Sequence, residues 1–266
     1  MTETGPEVAS AIEVVELTKE YRNPRGEVFR AVDRITFRAL AGRIFGLLGP
    51  NGAGKTTTLR MLSTLIAPTS GVARVAGYDV TGDPEAVRRS IGFLTGSTGL
   101  YPRLTVREVV RYFGRLYGLE TDRLEARLDS VFTELRIEEF QNKRCGDLST
   151  GMKQKVSIAR AIIHDPSVLI LDEPTTGLDV LASRHLVEFI RGSRDRGRCV
   201  LFSTHIMSEA ERLCDGLAVI HRGRIVGAGT VAELREQTGR RYVEDVFLAL
   251  LGEPVEATSP AGEAAP

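Results

Sequence analysis

The sequence predicts an α/β fold on three observations: short apolar runs alternate with helical patterns, a glycine-rich loop joins one such run to a helix, and a long stretch without strands interrupts the alternation. Strands are expected at residues 12–17, 44–48, 91–94, 168–171, 199–203 and 217–220. After the glycine-rich loop, Leu59, Leu62, Leu65 and Ile66 recur at helical spacing until Pro68 and Gly71 end the run. From Gly96 to Leu148 no strand pattern occurs. Thr105-Val106-Arg107-Glu108 forms a capping box, followed by the apolar face Val106, Val109, Val110, Phe113 and Tyr117, with Gly118 as the stop. Thr121 is placed to cap a second helix carrying Leu124, Leu128, Val131, Phe132 and Leu135. A helical subdomain, residues 96–150, is therefore expected between the core segments 11–95 and 151–230. Residues 231–251 make a C-terminal helical extension in which Val243, Val246, Phe247 and Leu250 either pack on the core or dock a partner. Residues 1–10 and 252–266 read as flexible tails, the second rich in Pro, Ala, Gly and Glu.

Composition removes several function classes. The 35 basic and 35 acidic residues cancel, which gives no electrostatic drive toward nucleic acid or an anionic membrane surface. Cys145, Cys199 and Cys214 lack metal-type spacing and read as reduced cytosolic thiols. No apolar run reaches the length that spans a bilayer, and the first residues lack the pattern of a signal peptide. A membrane process would need a second protein to supply the membrane part. The clusters Arg88-Arg89, Arg194/Arg196/Arg198 and Arg240-Arg241 read as solvated surface.

The chemistry begins at Gly49-Pro50-Asn51-Gly52-Ala53-Gly54-Lys55-Thr56, which satisfies the spacing of a phosphate-binding loop between a strand and a helix. Its glycines let backbone N–H groups turn toward phosphates, and the helix N-terminus adds partial positive charge. Lys55 can reach the terminal phosphates, the Thr56 hydroxyl can ligate Mg²⁺, and Thr57 completes the binding set. Downstream, the apolar run 168–171 ends in Asp172-Glu173-Pro174. A buried parallel strand would carry both acids to its carboxyl end, where α/β sheets bind ligands. Asp172 is then placed to hold Mg²⁺ and Glu173 to activate the attacking water. A third strand ends in Thr204-His205, which brings His205 to the same edge as a contact for the γ-phosphate.

Together with Leu148-Ser149-Thr150-Gly151-Met152, these pieces resemble the ATP-binding cassette (ABC) family over residues 12–230. The resemblance implies a P-loop NTPase (RecA-like) core with an N-terminal antiparallel β region and the inserted helical subdomain. It also implies ATP and Mg²⁺ as ligands and two cassettes dimerising head to tail, with the signature of one closing over ATP on the other. Ser149 and Gly151 match that signature, whereas Thr150 and Met152 depart from it. Tyr21 resembles the aromatic that stacks on adenine. Gly177-Leu178-Asp179 resembles the loop that links the cassettes, which adds Asp179 to the nucleotide-contacting set.

On physical grounds alone, Ser149 or Thr150 can cap a helix with Met152, Val156, Ala159, Ile162 and Ile163 on one face. Lys153 and Lys155 fall in its first turns, where cations oppose the helix dipole. Either a nearby anion relieves that conflict or both lysines are solvated. One family residue is absent: the Gln usual after the strand at 91–94 is replaced by Thr95-Gly96-Ser97-Thr98, where Thr95, Ser97 and Thr98 offer hydroxyls.

The run from Gly92 to Tyr101 and Leu148-Ser149-Thr150-Gly151-Met152-Lys153-Gln154-Lys155 look like the sodium-efflux branch of bacterial ABC ATPases, with drug and polysaccharide exporters sharing the layout. The expected function is an ATP-hydrolysing subunit on the inner face of the cell membrane. It would power a separate permease, most simply an exporter, as a homodimer and without nucleic acid. A soluble cassette of translation or DNA repair is the alternative. Against it stand the single cassette, the missing coiled-coil insertion and the neutral charge. A binding-only cassette is opposed by the intact Lys55, Asp172, Glu173 and His205.

Overall fold

The apolar runs do become strands, and the burial of each decides which sheet it joins. The computed structural model describes residues 10–95 and 99–252. Gly96, Ser97, Thr98 and the tails beyond Ser10 and Gly252 lie outside the described residues. The chain begins with β1 (Ser10–Arg22), β2 (Val28–Leu40) and β3 (Ile44–Leu48), followed by α1 (Lys55–Leu62), β4 (Ser70–Val75), β5 (Tyr78–Asp79), α2 (Pro84–Ser90) and β6 (Ile91–Thr95). Next come α3 (Val106–Leu116), α4 (Thr121–Leu135), two short 3-10 turns and α5 (Thr150–Ile162). The remainder is β7 (Val168–Asp172), α6 (Val180–Asp195), β8 (Cys199–Thr204), α7 (Met207–Leu213), β9 (Gly216–His221), β10 (Arg224–Gly229), α8 (Val231–Thr238) and α9 (Val243–Leu251).

Two sheets result. The order β10-β9-β3-β8-β7-β6 forms the core sheet, parallel except for the β9–β10 pair. Its strands β7 and β8 are buried along their whole length, as unbroken apolar runs covered on both faces must be. The order β2-β1-β4-β5 forms an antiparallel sheet beside it. Here β2 escapes sequence reading for a local reason. Arg34 takes φ +50, so the buried positions shift from Val32 to Ile35, Phe37 and Ala39, and the alternation changes parity midway.

The helical insertion follows its caps. The Thr105 hydroxyl accepts from the Glu108 N–H at 3.2 Å while the Glu108 carboxylate accepts from the Thr105 N–H at 2.8 Å, so the capping box is complete. Leu124, Leu128, Val131, Phe132 and Leu135 of α4 are all buried in one cluster with α3 and α5. Thr121 is the first helical residue rather than the cap, a place taken by Glu120 without a side-chain bond. The helix after the glycine-rich loop is also shorter than its apolar spacing suggests. Thr64 adopts φ +61 and closes α1 at Leu62, which leaves Leu65 exposed. Ser10, expected in the tail, is the first residue of β1. Arg198, expected on the solvated surface, is buried and paired with Asp165. In the C-terminal extension, Val243 is buried, and Val246 and Phe247 pack against Leu48, Leu217 and Val219, so α9 is part of the core.

A charged clasp holds α3 to α4. Arg111 and Arg107 both bond the Glu125 carboxylate, at 2.7 and 2.8 Å, and hold its pKa down to about 2 against partial burial. A carboxyl depressed on folding stabilises above its unfolded pKa and loses that contribution as pH falls through the folded one. The Glu125 contribution is therefore present above the ordinary glutamate range and disappears toward pH 2. The site is over a third exposed, so its size is about 1 kcal/mol or less. Glu125→Gln should flatten that acid limb of stability in urea melts between pH 5 and pH 2.5, roughly spanning the titration window.

Candidate functional site

Parallel pairing gathers the chemistry at one edge. The register sets Leu48 beside Thr204, Asp172 beside Ser203 and Thr95 beside Asp172. The phosphate-type loop between β3 and α1 thus lies against the carboxyl ends of β7 and β8. Its backbone is pinned from two sides: the Gly49 N–H donates to the Thr204 carbonyl, and the Gly223 N–H donates to the Ala53 carbonyl. Two glycines are sterically required. A Cβ on Gly49 would stand 2.3 Å from the Ile220 carbonyl oxygen, and Gly54 takes φ +112 with the Ala31 carbonyl 2.7 Å from where a Cβ would sit.

The loop opens on a cleft of about 140 Å³ lined by Ala31, Asn51, Gly52, Gly54, Lys55, Thr56, Thr57 and Glu173. Lys55 is buried and donates to the carbonyls of Gly49 at 2.6 Å and Pro50 at 3.1 Å. Its ammonium also lies 3.2 Å from Glu173 Oε1. The other Glu173 oxygen is 3.3 Å from His205 Nδ1. Burial works against ionisation of Glu173, but Lys55 and, more weakly, His205 outweigh it and hold the carboxyl below the ordinary carboxylate range. Glu173 takes φ +46, an uncommon conformation for a side chain of this size.

Beside it, Asp172 Oδ1 accepts hydrogen bonds from Thr56 Oγ1 at 3.1 Å and Ser203 Oγ at 2.7 Å. A hydroxyl and a carboxylate oxygen in contact at the foot of a phosphate loop suit a hard, oxygen-seeking cation such as Mg²⁺. Among the described residues no cluster of three metal-binding side chains exists.

His205 leaves β8 on a turn fixed by Thr204, whose hydroxyl donates to Glu209 at 2.8 Å and accepts from the Ile206 N–H at 3.0 Å. Four predicted residues lie elsewhere, three of them together. Ser149, Gly151 and Asp179 share a separate cavity of about 450 Å³, which has no lining residue in common with the Lys55 cleft. Ser149, not Thr150, caps α5, and Asp179 caps α6 through the Ala182 N–H. Lys153 is exposed, and Lys155 donates to the Arg136 carbonyl at 3.4 Å. Tyr21 lies outside the lining of the cleft and stacks on Phe29 with ring centroids 5.7 Å apart.

Sequence reasoning passes over Ala31, Ser203 and Gln154. Ala31 lines the cleft from β2, the strand hidden by its change of parity. Gln154 of α5 donates to the Pro174 carbonyl at 3.0 Å, so the signature helix touches the turn after Glu173. Ser203 carries one usable signal, a hydroxyl where an apolar run meets His205.

A family model described as ABC transporter matches residues 32–176. The chain is 42% identical over 226 residues to the ABC transporter ATP-binding protein NatA of Bacillus subtilis (strain 168), covering 85% of this chain and 92% of that one. It is 44% identical over 220 residues to the Nod factor export ATP-binding protein I of Rhizobium meliloti, covering 82% of this chain and 64% of that longer protein. A solved ATP binding subunit of an ABC transporter superposes with a TM-score of 0.82 at 33% identity, over 91% of this chain and 100% of that one. A bacterial ABC transporter cassette solved as a dimer shares the fold, with a TM-score of 0.75 at 24% identity over 83% of this chain and 98% of that one.

Proposed function

Because the chain belongs to the ABC transporter family, as an ATP-binding and ATP-hydrolysing subunit, we propose that it powers a separate membrane permease and that the transport is export. The kinship with ABC transporter ATP-binding subunits carries the proposal, and one geometry supports two cassettes working as a pair: Lys55, Glu173, Asp172 and Thr56 converge at one cleft, while Ser149, Gly151 and Asp179 line a separate cavity. A site split in this way suits a head-to-tail pair of cassettes in which each ATP is enclosed by the loop of one and the signature of the other. The direction of transport rests on the export function carried in the name of the Rhizobium relative.

In the proposed mechanism the loop N–H groups and Lys55 bind the phosphates, and Thr56 and Asp172 would hold Mg²⁺, which when bound would supply neutralising charge to the phosphate oxygens. Glu173 orients and deprotonates the attacking water, and His205 steadies both Glu173 and the terminal phosphate. Tyr21 stacks on the adenine face, beyond the phosphate cleft. Among the described residues no helix is long and apolar enough to cross a membrane. In this reading a second chain provides the spanning helices, with this subunit attached at the inner face.

The test is affinity isolation from detergent-solubilised membranes with a tagged full chain, followed by phosphate-release assays on what is recovered. A polytopic membrane protein that raises ATP turnover on reconstitution is the expected partner. Recovery with ribosomes or DNA instead, and no effect of any membrane protein, would favour the translation or repair alternative.

A further inference from the structure

We propose that Ser203 is a positioning residue for hydrolysis, fixing Asp172 and Glu173 relative to each other across the β7–β8 edge. The inference rests on the roles proposed for those two carboxylates. Ser203 is fully buried, at 0% exposure, and stands level with Asp172 in the parallel register. Its hydroxyl is used in both directions: Oγ donates to Asp172 Oδ1 at 2.7 Å and accepts from the Glu173 N–H at 3.0 Å.

Each bond has a specific consequence. The first leaves Asp172 Oδ1 facing Thr56 at 3.1 Å, which sets the oxygen pair available to a cation. The second tethers the backbone of Glu173 where that residue adopts φ +46. The turn is closed on its other side by the Thr176 N–H on the Glu173 carbonyl at 3.2 Å. A left-handed glutamate persists only where its surroundings over-determine it. Ser203 is one of those determinants, and the strand leading to it is otherwise apolar through Val200, Leu201 and Phe202. Packing alone would be served by Ala or Val. Only a hydroxyl serves both acids.

The decisive comparison is between Ser203→Thr and Ser203→Val, which are nearly isosteric and differ in the hydroxyl, with Ser203→Ala as the variant least prone to misfold. All are made in the full chain. The readouts are kcat and KM for ATP, the thermal midpoint, Mg²⁺-free ADP binding, and Mn²⁺ binding by electron paramagnetic resonance beside a non-hydrolysable ATP analogue. Ser203→Val and Ser203→Ala should lower kcat by about tenfold or more, the scale of one hydrogen bond to a charged group, with KM and ADP binding within about twofold. Mn²⁺ should bind more weakly in both, and Ser203→Thr should keep kcat and Mn²⁺ binding near the native values. Equal kcat and Mn²⁺ affinity in the Thr and Val variants would overturn the proposal, as would losses that simply follow the thermal midpoint. If Ser203→Val does not fold, the comparison of Ser203→Thr with Ser203→Ala decides the matter in the same way. A Glu173→Gln control separates the levels. If that control is inactive while the Ser203→Val and Ser203→Ala chains turn over normally, only the Ser203 role falls. If the control itself is active, the carboxylate roles fall and the Ser203 role with them.

Discussion

Glu173→Gln should reduce ATP turnover by about 10²–10⁴-fold, the range for loss of a positioned general base, while nucleotide binding survives. The substitution keeps the shape and a hydrogen-bonding oxygen toward Lys55, which now lies 3.2 Å from Oε1. What it removes is the ability to take a proton from water. With hydrolysis blocked, the ATP-bound pair of cassettes should accumulate, visible as a doubled mass by light scattering with ATP and Mg²⁺. Near-normal steady-state turnover would show that Glu173 is not the base. A pH profile offers a second check. In the free chain, Lys55 and His205 hold the Glu173 carboxyl below its ordinary range against the opposing effect of burial. Phosphate would draw the Lys55 ammonium away and leave burial to act. The acid limb of kcat, which reports the bound complex, should then lie at higher pH than that of kcat/KM, which reports the free enzyme.

Lys55→Ala should weaken ATP binding by roughly 100-fold, about the 3 kcal/mol upper figure for a hydrogen bond to a charged group. Fluorescent-nucleotide titration measures it directly. The buried ammonium is held by two loop carbonyls and one carboxylate, so it is already in place before ligand arrives. Removing it also leaves Glu173 without its strongest counter-charge, so the carboxyl should titrate higher than in the native chain. The double change Lys55→Ala with Glu173→Gln should not be additive in binding, because the two side chains are in contact. Unchanged affinity in Lys55→Ala would remove the lysine from the phosphate site.

Much of this is legible in the sequence because the core strands are buried on both faces. The unbroken apolar runs at β3, β7 and β8 need no alternation to be seen, and each ends in a residue with chemistry: Gly49, Asp172-Glu173 and His205. The antiparallel sheet is harder. Half of β2 faces solvent, and its buried set changes parity at Arg34, so period-two counting fails there. Spacing misplaces the end of α1 because Leu65 and Ile66 continue the apolar pattern, while the left-handed Thr64 that ends the helix leaves no mark in composition. The separation of Ser149, Gly151 and Asp179 from Lys55 follows from the resemblance, which has the signature close over ATP on a second cassette, and not from spacing along the chain. Ser203 draws no notice because serine at a strand end is ordinary until the partner atoms are known.

The strand order has a consequence in time. β3, which leads into the phosphate loop, is synthesised well before β8 and β9, its neighbours in the sheet. The loop itself is anchored by Thr204 and Gly223, which leave the ribosome more than a hundred residues later. A nascent chain therefore carries the full phosphate-loop sequence through the synthesis of everything up to β8 before the loop is anchored. Such long-range closure slows folding, and it leaves the loop without its backbone anchors until β8 and β9 have been made. Fragments cut short before β9 should be spared futile hydrolysis by topology alone.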